Sequence, residues 1–366
     1  MTSSSSVSVA GRAASAWESV ADAGAASVLV VDPLDIRWLS GFSGSVGVFV
    51  LGDRPVLVVD GRYADQAVDQ LAASGCTADV IVTPQGSGVD DEAVRLVDGS
   101  VGFDPGVTTI ARVARWRAVG ATAFVEVSGF AGMRMVKGAD ELARIEMAAE
   151  IADRALACTE LVEGLTEVDV RNRLEESMRQ EGADGPGYGT IVATGQNSAL
   201  PHHRPTSRDI CRGDVVLIDV GAEVDGYRSD MTRTIGIGEV DPLLSTWWAI
   251  VAEAQEAGVA AVRPGATGDD VDRAVRSVLA HHGVEEWFVH GTGHGVGLAI
   301  HEGPWLRRGS TDVLQEGMVV TVEPGLYRKG LGGVRIEDLL VVTGTASRHL
   351  TRSPKDAPCP RLARTT

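Results

Sequence analysis

Asp219 and Asp230 lie on either side of Asp225-Gly226, a dipeptide that favours a two-residue hairpin turn. With those two residues as the turn, Val224 pairs with Tyr227, Asp219 faces Thr232 and Asp230 faces Gly221. The two aspartates then project from one face as diagonal neighbours, roughly 7 Å apart at the backbone. Carboxylates that close repel each other and lose hydration together, so they belong at a wet rim or around cations. Read alone, the stretch fits an ordinary solvent-facing hairpin equally well.

Three further residues tip that balance. Glu323 ends the apolar run Met318–Val322 and is followed by Pro324-Gly325, which stops a strand. Glu337 falls inside Gly333–Val342, in phase with Arg335 and out of phase with Val334 and Ile336. A lone glutamate there could occupy an exposed face. Leu339–Val342 is apolar on both faces, however, which points to a central strand, where an acid needs a cation or a donor. His294 sits in Gly293-His-Gly-Val-Gly297, where glycines allow close backbone approach, and His290 and His301 lie near it. A single histidine beside glycines is usually structural; three gathered near one loop favour a site. Asp219, Asp230, His294, Glu323 and Glu337 together offer four carboxylates and one imidazole. That donor set suits two divalent ions, Mn2+ first, with Co2+ or Zn2+ as alternatives. Two ions roughly 3.5–4 Å apart can activate a water and clamp a tetrahedral intermediate, which is hydrolytic chemistry.

Stepping outward, the elements that carry these residues follow an α/β pattern. Residues 1–130 read as a compact α/β domain. Helices are expected at Ala13–Ala23, Tyr63–Ala73 and Ile110–Ala118, and strands at Ser27–Val31, Val46–Leu51, Pro55–Asp60, Val80–Thr83 and Val101–Asp104. Gly129–Gly138 reads as a connector. Residues 131–366 form the second domain, with helices at Ala139–Leu161, Val168–Glu181, Pro242–Val262 and Gly268–His282. Past Ala346 the proline-rich polar tail is expected to be loosely held.

Composition excludes several classes. For a chain of 366 residues, a formal charge of −17 argues against nucleic acid as a ligand, which requires a basic face. Cys76, Cys158, Cys211 and Cys359 are scattered, so they suggest neither a disulfide framework nor a zinc knuckle, and a reducing compartment fits best. Met1–Val20 opens on the serine run Ser3–Ser6 and lacks the cationic start and apolar core of a signal peptide. No apolar run approaches the roughly 20 residues of a membrane span, so no membrane partner is expected and the protein reads as cytoplasmic.

The motifs resemble those of the pita-bread metallopeptidases, the family of methionine aminopeptidase, aminopeptidase P and prolidase. The segments are Ile218-Asp-Val-Gly, Ser229-Asp-Met-Thr-Arg-Thr234, His290-Gly-Thr-Gly-His-Gly-Val-Gly-Leu298, Ile300-His-Glu302, Thr321-Val-Glu-Pro-Gly325 and Val334-Arg-Ile-Glu-Asp338. Trp38-Leu-Ser-Gly-Phe42, Val59-Asp-Gly-Arg-Tyr63 and Gln66-Ala67 resemble the amino-terminal domain of the aminopeptidase P, prolidase and creatinase branch. Ser198-Ala-Leu-Pro-His202 is similar to the histidine-bearing loop of the proline-directed members.

The resemblance implies an α/β chain: a creatinase-type amino-terminal domain, then a pita-bread catalytic domain with an antiparallel sheet. It implies that Asp219 chelates one ion, His294 and Glu323 hold the other, and Asp230 and Glu337 bridge. Glu323 would also move protons, His290 and His301 would donate to the carbonyl oxygen or oxyanion, and His202 would face the substrate. Arg335 would orient ligands or form a plain salt bridge, and His203 and His349 would be bystanders. The implied activity is cleavage of Xaa-Pro bonds in proline-containing peptides by a homodimer or homotetramer. Prolidase-like relatives often carry arginine after the proline of the His-Glu-x-Pro segment. Here His301-Glu-Gly-Pro304 is followed by Trp305, which favours an aminopeptidase releasing the first residue, with an Xaa-Pro dipeptidase as the alternative. A non-catalytic binding protein is a distant third reading, because such relatives usually lose ligands.

Overall fold

The structure is a computed structural model that describes residues 9–355. The serine run and Cys359 lie outside those residues; Cys76, Cys158 and Cys211 are free thiols. The chain divides between Arg134 and Met135 into two compact units. Among the described residues no helix is long and apolar enough to cross a membrane.

The first unit is built on a six-stranded mixed sheet. In spatial order its strands are Asp79–Val82, Val56–Val59, Val48–Leu51, Ser27–Val30, Val101–Phe103 and Phe124–Glu126. Val48–Leu51 is buried throughout, as a central strand of β-branched and aromatic residues should be. Trp116 is fully buried in this core, and its indole N–H donates to Asp90 at 2.8 Å. Three helices, Pro33–Ser40, Val89–Arg95 and Phe130–Met135, and the strand Phe124–Glu126 fall outside the sequence expectation. The first is signalled by its cap: Asp32 accepts from the N–H groups of Leu34 and Asp35, and Pro33 occupies the first turn. Phe130–Met135 lies in the stretch read as a connector.

Among the described residues, the strands of the second unit pair only antiparallel. Its long helices are Ala139–Cys158, Glu167–Gln180, Pro242–Ala261 and Gly268–His281. Two of them open on the same reciprocal cap, Thr166 with Asp169 and Thr267 with Asp270, and each Thr hydroxyl also donates to that Asp.

Two long hairpins carry the acidic residues. In the first, Asp219 pairs with Thr232 and Val224 with Tyr227, the register that Asp225-Gly226 predicts. Both turn residues have positive φ, 46° and 75°, as a type I′ turn requires. The second hairpin corrects the expectation of one continuous strand over Gly333–Val342: the chain forms two strands, Gly332–Arg335 and Asp338–Val342. Val322 pairs with Asp338 and Gly325 with Arg335, so the register is unchanged across the interruption and Glu323 faces Glu337 within it. Pro324 contributes to the break because it has no N–H for the ladder; its carbonyl accepts from Ile336 N–H at 3.3 Å.

Behind the second hairpin, Arg233 and Asp338 form a buried ion pair at 2.8 Å. Arg233 also donates to the backbone carbonyls of Thr232 at 2.9 Å, Glu337 at 2.5 Å and Ser353 at 2.7 Å. Asp338 further meets Gln255, Thr351, His349 and Lys355. The segment after Ala346, expected to be loose, is therefore tied down as far as Lys355 through the strand Ser347–His349 and these contacts. Burial alone would push the Asp338 carboxyl up; His349, Arg233 and Lys355 outweigh it and hold it far below its ordinary range.

Asp338→Ala should therefore cost about 3–5 kcal/mol at pH 7, because Arg233 is left buried without its counter-charge. Since the folded carboxyl is depressed, its contribution is complete above the unfolded value of about 4 and fades as pH falls below it. Urea titrations at pH 7 and pH 3 check both points: the mutational loss should be large at the first and smaller at the second.

Candidate active site

The two hairpins bring their interrupted segments to one pocket of about 940 Å3, lined among others by Tyr188, His202, His294, His301, Glu323 and Glu337. Asp219, Asp230, His290, Trp305 and Arg335 line it as well. All the sequence-predicted site residues therefore meet there.

His294 reaches the pocket from the strand Gly293–Gly295. A Cβ on Gly293 would stand 2.1 Å from the Thr321 carbonyl oxygen, and one on Gly295 would stand 2.1 Å from the Gly303 carbonyl oxygen. The flanking glycines thus allow this strand to press between its neighbours. His294 Nδ1 lies 3.1 Å from the Gly295 carbonyl oxygen, which can only accept. The proton is therefore on Nδ1, and the Nε2 lone pair faces inward, 3.5 Å from Glu323 and 3.7 Å from Asp230. Burial, then the neighbouring His301, pushes the His294 pKa down to about 4, so the ring is neutral and ready to ligate.

One ligating atom from each of Asp230, His294 and Glu337 lies within 4.8 Å of the others, and all three residues are buried. Glu323 adjoins this cluster through His294. Asp219 joins it through Tyr188, whose hydroxyl contacts Asp219 Oδ1 and lies 2.5 Å from Asp230 Oδ1. A phenol has one proton for those two oxygens, so one contact is left repulsive. Burial, then the Asp219 charge, pushes the Asp230 carboxyl up. Burial and the facing Glu337 do so for Glu323, and burial and Asp230 do so for Glu337. A crowded set of oxygens that resists ionisation, with an imidazole lone pair aimed into it, fits divalent cations.

Arg335 is the cation that the chain itself supplies. Its Nη2 donates to Asp219 at 2.6 Å, its Nε to Thr232 Oγ1 at 2.9 Å and its Nη1 to the Tyr327 hydroxyl at 3.0 Å. Thr232 in turn donates to Glu337 Oε2 at 2.7 Å. One guanidinium thus orients an aspartate directly and a glutamate through a hydroxyl. It does so from the neighbouring strand, not from the shared strand on which the phase argument with Glu337 rested.

His290 differs from its expected place as an oxyanion donor. Its Nδ1 donates to the Gly291 carbonyl at 2.8 Å, and its Nε2 accepts from the Tyr327 hydroxyl at 2.9 Å. Both nitrogens are occupied, and burial pushes its pKa down to about 3, so the ring serves as a neutral acceptor for Tyr327. His301 and His202 sit on the pocket wall with their rings exposed, and His301 stacks edge-on against His294 with centroids 4.4 Å apart.

Sequence reasoning missed Tyr188 and Tyr327, and it named Thr232 only as a pairing partner. Two glycine signals pointed to them. Tyr188 stands between Gly187 and Gly189, and a Cβ on Gly325 would stand 2.3 Å from the Tyr327 hydroxyl, so Gly325 makes room for it.

Two family models match the chain. Residues 12–136 match the creatinase/prolidase N-terminal domain, and residues 143–344 match metallopeptidase family M24. The chain is 37% identical to the peptidase YqhT of Bacillus subtilis over 90% of this chain and 94% of that one. Its structure is similar to that of the Xaa-Pro dipeptidase of Bacillus anthracis (TM-score 0.90, 34% identity, 95% and 99% of the two chains). It is also similar to that of the X-Pro aminopeptidase of Thermotoga maritima (TM-score 0.83, 32% identity, 90% and 96% coverage). With its creatinase-type amino-terminal domain and pita-bread catalytic domain, the chain belongs to metallopeptidase family M24.

Proposed function

We propose that this metallopeptidase hydrolyses Xaa-Pro bonds and acts as an Xaa-Pro dipeptidase. The observation that carries the reading is the gathering of Asp219, Asp230, His294, Glu323 and Glu337 beside His202 and His301 in one pocket. The dipeptidase assignment revises the aminopeptidase preference drawn from Trp305. It is supported by the likeness, over nearly the whole of both chains, to a protein described as an Xaa-Pro dipeptidase. The aminopeptidase reading keeps one local support: Trp305 is partly exposed on the pocket wall, where it could line a passage for a longer peptide.

Asp219, Asp230, His294, Glu323 and Glu337 would hold two divalent ions, Mn2+ in the first instance, with Asp230 and Glu337 shared between them. When bound, the ions supply the positive charge that ionises a water and polarises the scissile carbonyl. Glu323 takes the proton of the attacking water and passes it to the leaving proline nitrogen. His301 donates to the oxygen that gains charge, and His202 faces the substrate. Arg335 holds Asp219 in place throughout. A cytoplasmic location and a dimeric or tetrameric assembly belong to the same proposal and rest on the resemblance.

Three measurements test it. Asp230→Ala and Glu337→Ala should each lose bound metal and activity together, because removing a shared carboxylate leaves two cations repelling; full two-ion occupancy by elemental analysis of the folded variants rejects the shared roles. His301→Ala should keep its metal and lose roughly 10²–10³ in turnover, the usual effect of removing one oxyanion donor; wild-type kinetics in this variant rule that role out. Finally, kcat/KM for Xaa-Pro should exceed that for Xaa-Pro-Yaa with the same first residue, across a panel loaded with Mn2+, Co2+ or Zn2+. Preference for the longer peptide returns the assignment to an aminopeptidase and leaves the metal site untouched.

A further inference from the structure

Glu167 opens the helix Glu167–Gln180, yet its side chain is fully buried. A carboxylate removed from water needs donors, and this one has five. Oε1 accepts from the Thr194 N–H at 2.8 Å and from Asn197 Nδ2 at 2.9 Å. Oε2 accepts from His203 Nε2 at 2.8 Å and from the Thr206 N–H and hydroxyl at 2.8 and 2.7 Å. Burial pushes the Glu167 carboxyl up, but these donors, the Thr194 N–H foremost, outweigh it and hold the group below its ordinary range.

All five donors come from Thr194–Thr206, a segment whose interior is a short 3-10 turn and a loop. One buried charge therefore grips that segment at both ends and in the middle. On its other side the same segment touches the active site. Arg335 Nη1 donates to the Pro201 carbonyl at 3.3 Å, and the Gly333 N–H donates to Ser198 Oγ at 2.8 Å. His202 lies between the two sets of contacts. Its ring is exposed on the pocket wall, whereas that of its neighbour His203 is buried against Glu167.

We propose that Glu167 and His203 are positioning residues for His202: they fix the backbone of Thr194–Thr206 from beneath and so hold the His202 imidazole toward the substrate. This assigns work to His203, which the sequence alone marked as a bystander. It rests on the reading of His202 as a substrate-facing group.

The test uses the full chain loaded with Mn2+ and the dipeptide Ala-Pro. Glu167→Gln would set amide N–H groups against donors and endanger folding, so the variant of choice is His203→Ala, which leaves Glu167 its other four donors. Hydrogen exchange over residues 195–206 should accelerate in His203→Ala, metal content should stay at the wild-type level, and kcat/KM should fall on the order of 10-fold. His203→Gln, whose amide can replace the Nε2 donor, should recover most of the loss. In a His202→Ala background, His203→Ala should bring no further loss, because the two act as a unit. An equal loss in both backgrounds overturns the proposal, as does wild-type activity in His202→Ala. Unchanged exchange over residues 195–206 overturns it whatever the activity does. A wild-type enzyme that leaves Ala-Pro intact rejects the dipeptidase function instead, and the exchange result still decides the anchoring.

Discussion

Four carboxylates crowded into one buried pocket repel one another, and the architecture around them counters that repulsion. Each of Asp230, Glu323 and Glu337 is pushed toward its neutral form, first by burial and then by another member of the set. Ordinary packing would let such side chains turn away to water. Here they are held by bonds that are buried or partly buried: Arg335 to Asp219, Arg335 to Thr232, and Thr232 to Glu337. Behind them, Arg233 fixes the backbone carbonyls of Thr232 and Glu337 and is neutralised by Asp338. The charges therefore lie in two layers. The rear layer is paired and stabilises the fold, whereas the front layer is left acidic and unfavourable until a cation arrives.

The hairpins deliver this arrangement through interrupted ladders. In each, the register is the same on either side of a short gap; Asp230 lies in the first gap with Asp219 at its edge, and Glu323 and Glu337 lie in the second. A continuous ladder would send neighbouring side chains to alternate faces, which limits how many acids can converge. Where pairing lapses, the backbone can depart from the pleat. Gly221 and Pro324 mark the two gaps. A Cβ on Gly221 would stand 1.9 Å from the Ser229 carbonyl oxygen, and Pro324 has no N–H to offer.

This geometry explains what could be read from the chain and what could not. The Asp225-Gly226 turn sets the first register because a two-residue turn leaves little freedom, so Asp219 was placed correctly against Thr232, while Asp230 and Gly221 fall in the gap between the paired segments. Glycines around His294 signalled a tightly pressed strand, and the structure shows the carbonyls that demand them. The break at Ile336-Glu337 was hidden because its cause lies on the facing strand, at Pro324, and local hydrophobic phase cannot report a partner's missing N–H. The Glu167 anchor was hidden for a similar reason. Its donors are dispersed over Thr194–Thr206, and nothing in a helix-opening glutamate announces that it is buried. The arginine-to-tryptophan difference at Trp305 was legible but weak evidence, because one wall residue does not determine which peptide length a pocket accepts.

Charge counting gives the front layer a direction. Asp219, Asp230, Glu323 and Glu337 contribute four negative charges and Arg335, the arginine in contact with Asp219, one positive charge, so these five groups sum to −3; Arg171, Arg204, Arg307 and Glu175 line the pocket further out. His290 and His294 are held neutral, and the phenols of Tyr188 and Tyr327 are pushed above their ordinary range, so none of these alters the sum. A single divalent ion would leave the site at −1, hostile to the negative charge that gathers on a carbonyl oxygen under attack. Two would bring these groups to +1, which favours that charge. Arg335 matters to that balance because it removes one negative charge permanently. The same guanidinium that orients Asp219 thus also offsets one charge of the set it serves.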